Sequence, residues 1–437
     1  MLAFPDHHPR LSEVVEQTPL IDTHEHLQEE RDRLALGDRL DFAYLFRNYL
    51  LADLVSAGMS QDDAEEMVAD DLDQDEKWRR VASFWDRARH AGYGRAIALT
   101  IEELYGIPGL DRSTYRDVTA AMQARNRPGV HRRLIREEAG VAWYVLHHVG
   151  DPGTVHREGT DPAMCRQVLG ANCFLRETLP LDDFAAHTGI RADSWEAFQA
   201  TMDWYFERYA DEAVAIKNNC PYWRDLRFDD PPPKRAAAAF EKRYVRGQPL
   251  EPAELKALQD AAFHFCLRRA GDRDLPVQVH TGYLAGNHNL DSDRIRPSDL
   301  TNLFVQYPHV RFDLFHIGYP YQGEVAALAK NFPNVYIDLC WAWIIDPYAT
   351  RQALQTFIAT VPVNKIFGFG GDVFMAEGVY GHARIARWGT AWALAEMIDQ
   401  GYMGEEDAVT VARMVLHDNA RAFFALPTQP TTLRSSS

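Results

Sequence analysis

The chain has 437 residues, of which 46% are hydrophobic and 11% aromatic, and its formal net charge is −17. That acidity, without a compensating basic run, excludes nucleic acid and anionic membrane surfaces as expected partners. No stretch reaches the roughly 18 unbroken apolar residues of a membrane span.

The N-terminal stretch "MLAFPDHHPR" lacks the basic and apolar regions of a secretory signal. The five cysteines are scattered and show no CxxC pairing. We therefore expect reduced thiols and a cytoplasmic protein.

Short apolar runs of strand length alternate with long amphipathic segments such as "DSWEAFQATMDWYFERYA". In chain order the runs are "PLIDTHEH", "GVAWYVLHH", "ANCFLRE", "EAVAIKNN", "LPVQVHTG", "VRFDLFHIG", "NVYIDLCW" and "KIFGFGGD". Strand–helix alternation predicts a parallel sheet, and eight units predict a closed (β/α)₈ TIM barrel, an α/β fold.

One long segment interrupts this alternation. Residues 1–26 hold the N-terminal segment and strand one, whereas residues 27–140 are charged, helix-rich and without a convincing strand. We interpret residues 27–140 as a helical insertion over the barrel mouth and residues 141–426 as the remainder of the barrel. Residues 427–437, "PTQPTTLRSSS", are predicted to form a disordered tail.

Residues with metal-binding side chains stand at the ends of the predicted strands. In a (β/α)₈ barrel all strand C-terminal ends open onto one face, where active sites are built. Side chains two apart on a strand share a face, so the two histidines of "THEH" can approach one ion. The candidate ligands are His24, His26, Lys217, His280, His316 and Asp372. His147 and His148, which end the second run, either face this site or pack in the core.

These residues, together with "AIKNNCPYWRDLRF", "VQVHTGY", "LFHIGYPY" and "HDNARAFF", resemble the amidohydrolase superfamily in its amidohydrolase-related branch. That branch includes barrel domains fused to glutamine synthetase-like enzymes and, more distantly, aryl decarboxylases and uronate isomerases. The resemblance covers strand one and roughly residues 210 to 425, and it leaves the helical insertion unmatched. Relatives often have Gly-Ser-Asp on strand eight, where this chain has Gly370-Gly371-Asp372.

The resemblance implies a divalent-metal enzyme, with one or two ions, zinc being the expected metal. We expect a hydrolase that attacks a C–N or C–O bond of a small carboxylate-bearing compound through a metal-activated water. Asp372 is the predicted general base. His316 is the second predicted catalytic residue, as a ligand of a second ion or as a stabiliser of the oxyanion.

Two alternatives remain open. The first is a non-oxidative decarboxylase or isomerase on the same mononuclear metal barrel. The second is a non-catalytic metal-binding or sensor barrel, which the complete ligand set disfavours.

Four further residues are predicted to bind substrate. Arg176 and Arg224 suggest an anionic small molecule, because arginine pairs carboxylates bidentately. Tyr222 lies beside Arg224, and Trp341 is expected to wall an apolar pocket. In the alternative reading the arginines pair with local acids and the tryptophan only packs. A homo-oligomer is compatible with the sequence.

Lys217 decides how many ions the site holds. As a carbamate it would bridge two ions, as a free ammonium it would meet the substrate carboxylate, and as a structural lysine it would do neither.

Overall fold

The computed structural model describes residues 2–47, 49–69, 72–147 and 161–428. Its eight strands are β1 (Leu20–Glu25), β2 (Val141–Leu146), β3 (Cys165–Gly170), β4 (Ala213–Asn218), β5 (Val277–Val279), β6 (Phe312–Leu314), β7 (Val335–Asp338) and β8 (Ile366–Phe367). Each strand pairs in parallel with the next in chain order. The barrel closes where Thr23 N donates to Phe369 O at 3.1 Å. The predicted TIM barrel is confirmed.

The prediction for strand three is wrong. The sequence favoured residues 171–177, but the strand is Cys165–Gly170, and Asn172–Phe174 form a single helical turn. Gly170 is paired with Lys217 of β4, and Ala171 N makes the last bond, to Lys217 O at 2.8 Å. Beyond that bond the chain has no strand partner to continue the ladder, so it turns.

The helices of the described residues cover the outside of the barrel and its mouth. They are α1 (Pro9–Gln17), α2 (Glu30–Leu36), α3 (Tyr49–Ser56), α4 (Gln61–Val68), α5 (Gln74–Ala88), α6 (Gly92–Leu99), α7 (Tyr115–Arg125), α8 (Leu181–Thr188), α9 (Trp195–Tyr209), α10 (Pro233–Phe240), α11 (Pro252–Asp272), α12 (Thr301–Gln306), α13 (Gln322–Asn331), α14 (Ala342–Ile345), α15 (Pro347–Thr360), α16 (Ala376–Asp399), α17 (Glu405–Arg413) and α18 (Asn419–Phe423). Helix α9 begins at a capping residue, because the Ser194 side chain accepts a hydrogen bond from Ala197 N. Among the described helices, none is both long and apolar enough to cross a membrane.

The described part of the segment between β1 and β2 is helical. Helices α2 to α7 lie there, and two of them reach the barrel mouth. Tyr49 of α3 and Tyr93 of α6 stack against Trp341, which follows β7, with ring centroids 4.6 and 6.3 Å away. The insertion therefore covers part of the rim where the strands end. Residues 429–437 of the predicted tail lie outside the described residues.

A separate apolar cluster fills the opposite end of the barrel. It joins side chains from five strands to the C-terminal residues: Ile21, Trp143, Val145, Val168, Ala215, Phe367, Ala420, Phe423, Phe424 and Leu426. Asn419 holds α18 in place by donating to Val363 O at 2.7 Å and Ile366 O at 2.9 Å. The packed end and the polar end of the barrel are thus distinct.

Replacing Asn419 with alanine is expected to destabilise the fold by about 1–3 kcal/mol, because the carbonyls of Val363 and Ile366, just before and at the start of β8, lose their side-chain donor. Urea denaturation measures the change. Asn331→Ala, at an exposed asparagine that ends α13, serves as the matched control. Equal stability of the two variants would contradict this role.

Candidate metal centre

Side chains from the ends of β1 and β8 meet at the barrel mouth. His24 Nε2 and His26 Nε2 lie 3.2 Å apart. Asp372 Oδ1 lies 3.5 Å from His24 Nε2 and 3.2 Å from His26 Nε2. Asp372 and His24 are almost fully buried. His24 Nε2, His26 Nε2 and Asp372 Oδ1 therefore lie close enough together to bind the same metal ion.

A second pair of imidazoles, from β5 and β6, faces the other oxygen of the same carboxylate. His280 Nδ1 and His316 Nε2 are 3.1 Å apart, and His316 Nε2 is 3.7 Å from Asp372 Oδ2. Asp372 thus stands between two histidine pairs. Five of the six predicted ligands are brought together by these contacts.

Backbone carbonyls fix the tautomers of three of these histidines. His26 Nδ1 lies 2.9 Å from His147 O, His316 Nδ1 lies 2.9 Å from Cys340 O, and His280 Nε2 lies 2.8 Å from Tyr283 O. A carbonyl oxygen only accepts, so each of these ring nitrogens carries the proton. The opposite nitrogen of each ring therefore directs its lone pair into the cluster.

This arrangement fits a divalent cation. The lone pairs of His280 Nδ1 and His316 Nε2, which face each other at 3.1 Å, repel unless a cation or a proton lies between them. Protonation is disfavoured, because burial lowers the pKa of His280 to about 3 and, with Lys217 next in effect, that of His24 well below its usual range. Imidazole nitrogens and a carboxylate oxygen are the donors that zinc and similar ions take.

Two carboxyl side chains of β1 hold the loop that carries Asp372. Asp22 Oδ1 accepts from Gly371 N at 3.0 Å, and Glu25 Oε2 accepts from Val373 N at 2.8 Å. Between them Asp372 N donates to His24 O at 2.8 Å, and Asp372 has a left-handed φ of +55°. Such strained conformations cluster at functional sites. Neither Asp22 nor Glu25 is among the site residues predicted from the sequence.

Lys217 is 1% exposed and lies at the centre of the barrel. Its Nζ is 3.3 Å from the centroid of the Phe315 ring, which itself packs on His24 at 4.8 Å. Within the described part of the chain, Nζ has no hydrogen-bond partner. Burial lowers the pKa of Lys217 to about 8, against the opposing effect of Asp372. A reactive neutral amine is therefore accessible there.

Aromatic rings surround the cluster. The Tyr222 ring is 5.0 Å from His280, and its hydroxyl accepts from Ala285 N at 3.0 Å. Trp341 is fully buried and packs 5.1 Å from His316. Tyr49, from the helical insertion, stacks on Trp341 and was not predicted. No local pattern marks it, because the insertion is distant from β7 along the chain.

The structure does not bring the two arginines to the cluster. Arg224 Nη2 donates to Asp260 Oδ1 at 2.8 Å and Arg227 O at 2.9 Å, and Nε donates to Asp225 O at 3.1 Å. Arg176 is exposed and lies 5.2 Å from the Trp223 ring. Both line a cavity of about 890 Å³, and none of the candidate ligands lines it. The geometry therefore favours the alternative reading for Arg224, pairing with local acids, and weakens the case for an anionic substrate.

His147 faces the cluster rather than the core. Its ring centroid is 5.2 Å from that of His26 and 5.7 Å from that of His24. His147 and the two β1 histidines could together hold an ion. His148 lies outside the described residues.

Substitution of Gly371 by alanine is expected to displace Asp372, since the added Cβ would overlap Glu25 Oε1. We expect metal affinity to fall at least tenfold, on the order of the ~10–100-fold seen when groups that orient ligands are lost. Metal titration with circular dichroism as a folding check measures this. The control is Gly323→Ala in α13, where a Cβ meets nothing within 4 Å. Unchanged affinity in Gly371→Ala would show that the loop is not held in this way.

The chain resembles known proteins in sequence and in fold. A family model described as Amidohydrolase matches residues 155–426. Protein fluG of Emericella nidulans is 29% identical over 163 residues, which are 37% of this chain and only 19% of that protein. A uronate isomerase from Thermotoga maritima superposes with a TM-score of 0.81 at 16% identity, covering 96% of this chain and 98% of its own. A glucuronate isomerase from Caulobacter crescentus gives 0.77 at 18% identity, covering 98% and 97%. The two structures share the fold, and the match over residues 155–426 shows that the chain belongs to the amidohydrolase family.

Proposed function

We propose that the protein is a metal-dependent hydrolase that cleaves a C–N or C–O bond of a small compound. The observation that carries the proposal is the inward direction of the ring nitrogens of His26, His280 and His316 around Asp372. Together with His24 these residues would hold one or two divalent ions, with zinc favoured by the donor set. Such an ion, when bound, acidifies water and polarises a substrate oxygen.

Asp372 is the proposed general base. Its carboxylate lies between the two histidine pairs, with Oδ1 toward β1 and Oδ2 toward His316. From that position Asp372 takes a proton from the attacking water and returns it to the leaving nitrogen or oxygen. The hydrogen bonds that Asp22 and Glu25 accept from the flanking amides keep the carboxylate in place.

His316 acts as a ligand or proton acceptor in this proposal. Its Nδ1–H is directed to Cys340 O, so Nε2 offers a lone pair and no proton. A nitrogen without a proton cannot donate a hydrogen bond to an oxyanion. The geometry therefore favours a ligand role over oxyanion stabilisation.

The substrate is proposed to carry a flat or apolar part. Tyr222 and Trp341 place rings beside His280 and His316, and Tyr49 stacks on Trp341. If Lys217 stays a free ammonium instead of forming the carbamate proposed below, it is a buried cation that interacts electrostatically with Asp372 and could meet a substrate carboxylate.

Decarboxylation and isomerisation would use the same residues, and isotope labelling separates them from hydrolysis. The metal-loaded protein is incubated with N-acyl amino acids, lactones, aryl carboxylates and uronates in H₂¹⁸O, and products are analysed by mass spectrometry. We expect an amide or lactone to be split with one ¹⁸O in the new carboxylate. Loss of CO₂, or rearrangement without cleavage, would overturn the hydrolase proposal.

Asp372→Asn is expected to lower kcat by about 100-fold or more, as loss of a general base does. The exposed Asp407→Asn in α17 is the control and should retain full activity.

Lys217→Met tests the number of ions. We propose that Lys217 forms the carbamate, because its Nζ is buried and has no hydrogen-bond partner within the described residues. The variant is then expected to bind one metal equivalent fewer, measured by elemental analysis after dialysis with bicarbonate. Unchanged metal content with weaker binding of a carboxylate would instead assign Lys217 to substrate binding.

A further inference from the structure

A cluster of metal-ligand type lies on the outside of the protein, where the chain enters α1 and α16 ends. His7 Nε2 lies 3.1 Å from Asp399 Oδ2, and His8 Nε2 lies 2.9 Å from Asp399 Oδ1. The side chains are 45%, 15% and 51% exposed, respectively. One ligand atom from each lies within 4.8 Å of the others. None of the three belongs to the barrel-mouth cluster.

Rigid backbone holds both halves of this cluster. Pro9 begins α1 directly after His8, and His8 N donates to Pro5 O at 3.2 Å. Ser12 Oγ donates to the same carbonyl at 2.9 Å. Asp399 is the last residue of the 24-residue helix α16. The two rings and the carboxylate are therefore positioned before any ligand arrives, which reduces the entropic cost of binding.

The electrostatics favour a cation. Among the described residues, the hydrogen-bond and ion-pair partners of Asp399 are the two imidazoles, with no lysine or arginine. The other nitrogen of His7 lies 3.6 Å from Asp6 Oδ1. This exposed carboxylate adds negative charge beside the His7 ring without a hydrogen bond to it. The neighbouring Arg10 is engaged by Glu406 and does not neutralise the pair.

We propose that Nε2 of His7, Nε2 of His8 and one oxygen of Asp399 form a second, surface site for a divalent transition metal. Two imidazoles and a carboxylate suit Zn²⁺, Ni²⁺ or Cu²⁺, and the exposed side leaves room for water to complete the coordination. The bound ion links the N-terminal segment to the end of α16. This site is independent of the proposed hydrolase chemistry.

Calorimetric titration of the full-length, metal-loaded protein with Ni²⁺ tests the site. We expect one equivalent beyond the barrel metal, lost in His7→Ala/His8→Ala and retained in His90→Ala, another exposed histidine. Asp399→Asn should weaken Ni²⁺ binding about tenfold or more. Loss of a group that only orients a ligand already weakens metal binding by about tenfold, and Asp399 is a proposed ligand itself. The barrel metal, measured by elemental analysis, should stay unchanged in all three variants.

A second measurement uses Trp392, whose ring is 5.9 Å from that of His7. Ni²⁺ is expected to quench part of the tryptophan fluorescence, and Trp392→Phe should remove that quenching while retaining the calorimetric equivalent. Added Zn²⁺ should raise Tm of the wild-type chain and not that of His7→Ala/His8→Ala. Absence of an additional equivalent in the wild-type protein, or its persistence in the double variant, would overturn the proposal.

Discussion

The junction between β1 and β8 is the interaction on which the rest of the site depends. There Thr23 N bonds to Phe369 O, which closes the barrel, and Asp372 N bonds to His24 O. Because both bonds lie within a few residues of the ligand-type side chains, the closure of the fold also sets the distance between the β1 histidines and the β8 carboxylate. Asp22 and Glu25 reinforce it from one strand. The contacts that close the barrel therefore also bring the candidate ligands of β1 and β8 together.

Burial then determines the chemistry. Imidazoles removed from water resist protonation, and carbonyl acceptors at His26, His280 and His316 direct their lone pairs toward a common centre. The facing lone pairs of His280 and His316 are electrostatically unfavourable by themselves, and a divalent cation between them would relieve the repulsion. The left-handed conformations of His316 and Asp372 show that the backbone is also held away from its preferred state at this point.

The helical insertion supplies aromatic side chains next to the candidate metal centre. It places Tyr49 and Tyr93 over Trp341, so that the mouth of the barrel is walled by rings rather than by the arginines suggested by the sequence. Arg224 instead bonds to Asp260, which is 36 residues away in the chain, and stacks on Phe228. Aromatic residues of the insertion therefore lie at the barrel mouth, whereas the candidate ligands come from the ends of the barrel strands.

The barrel and its candidate ligands could be predicted from local sequence patterns. Strand–helix alternation is a local pattern, and the rule that all strands of such a barrel end on one face placed His24, His26, His280, His316 and Asp372 together without coordinates. The bounds of strand three, the partners of Arg224 and the aromatic neighbours of the site depend on long-range contacts and could not be predicted in this way. Strand three is Cys165–Gly170 because pairing with β2 and β4, not local hydrophobicity, selects it. The pairing of Arg224 and the arrival of Tyr49 depend on contacts between segments far apart in the chain, and such contacts leave no periodic pattern in either segment.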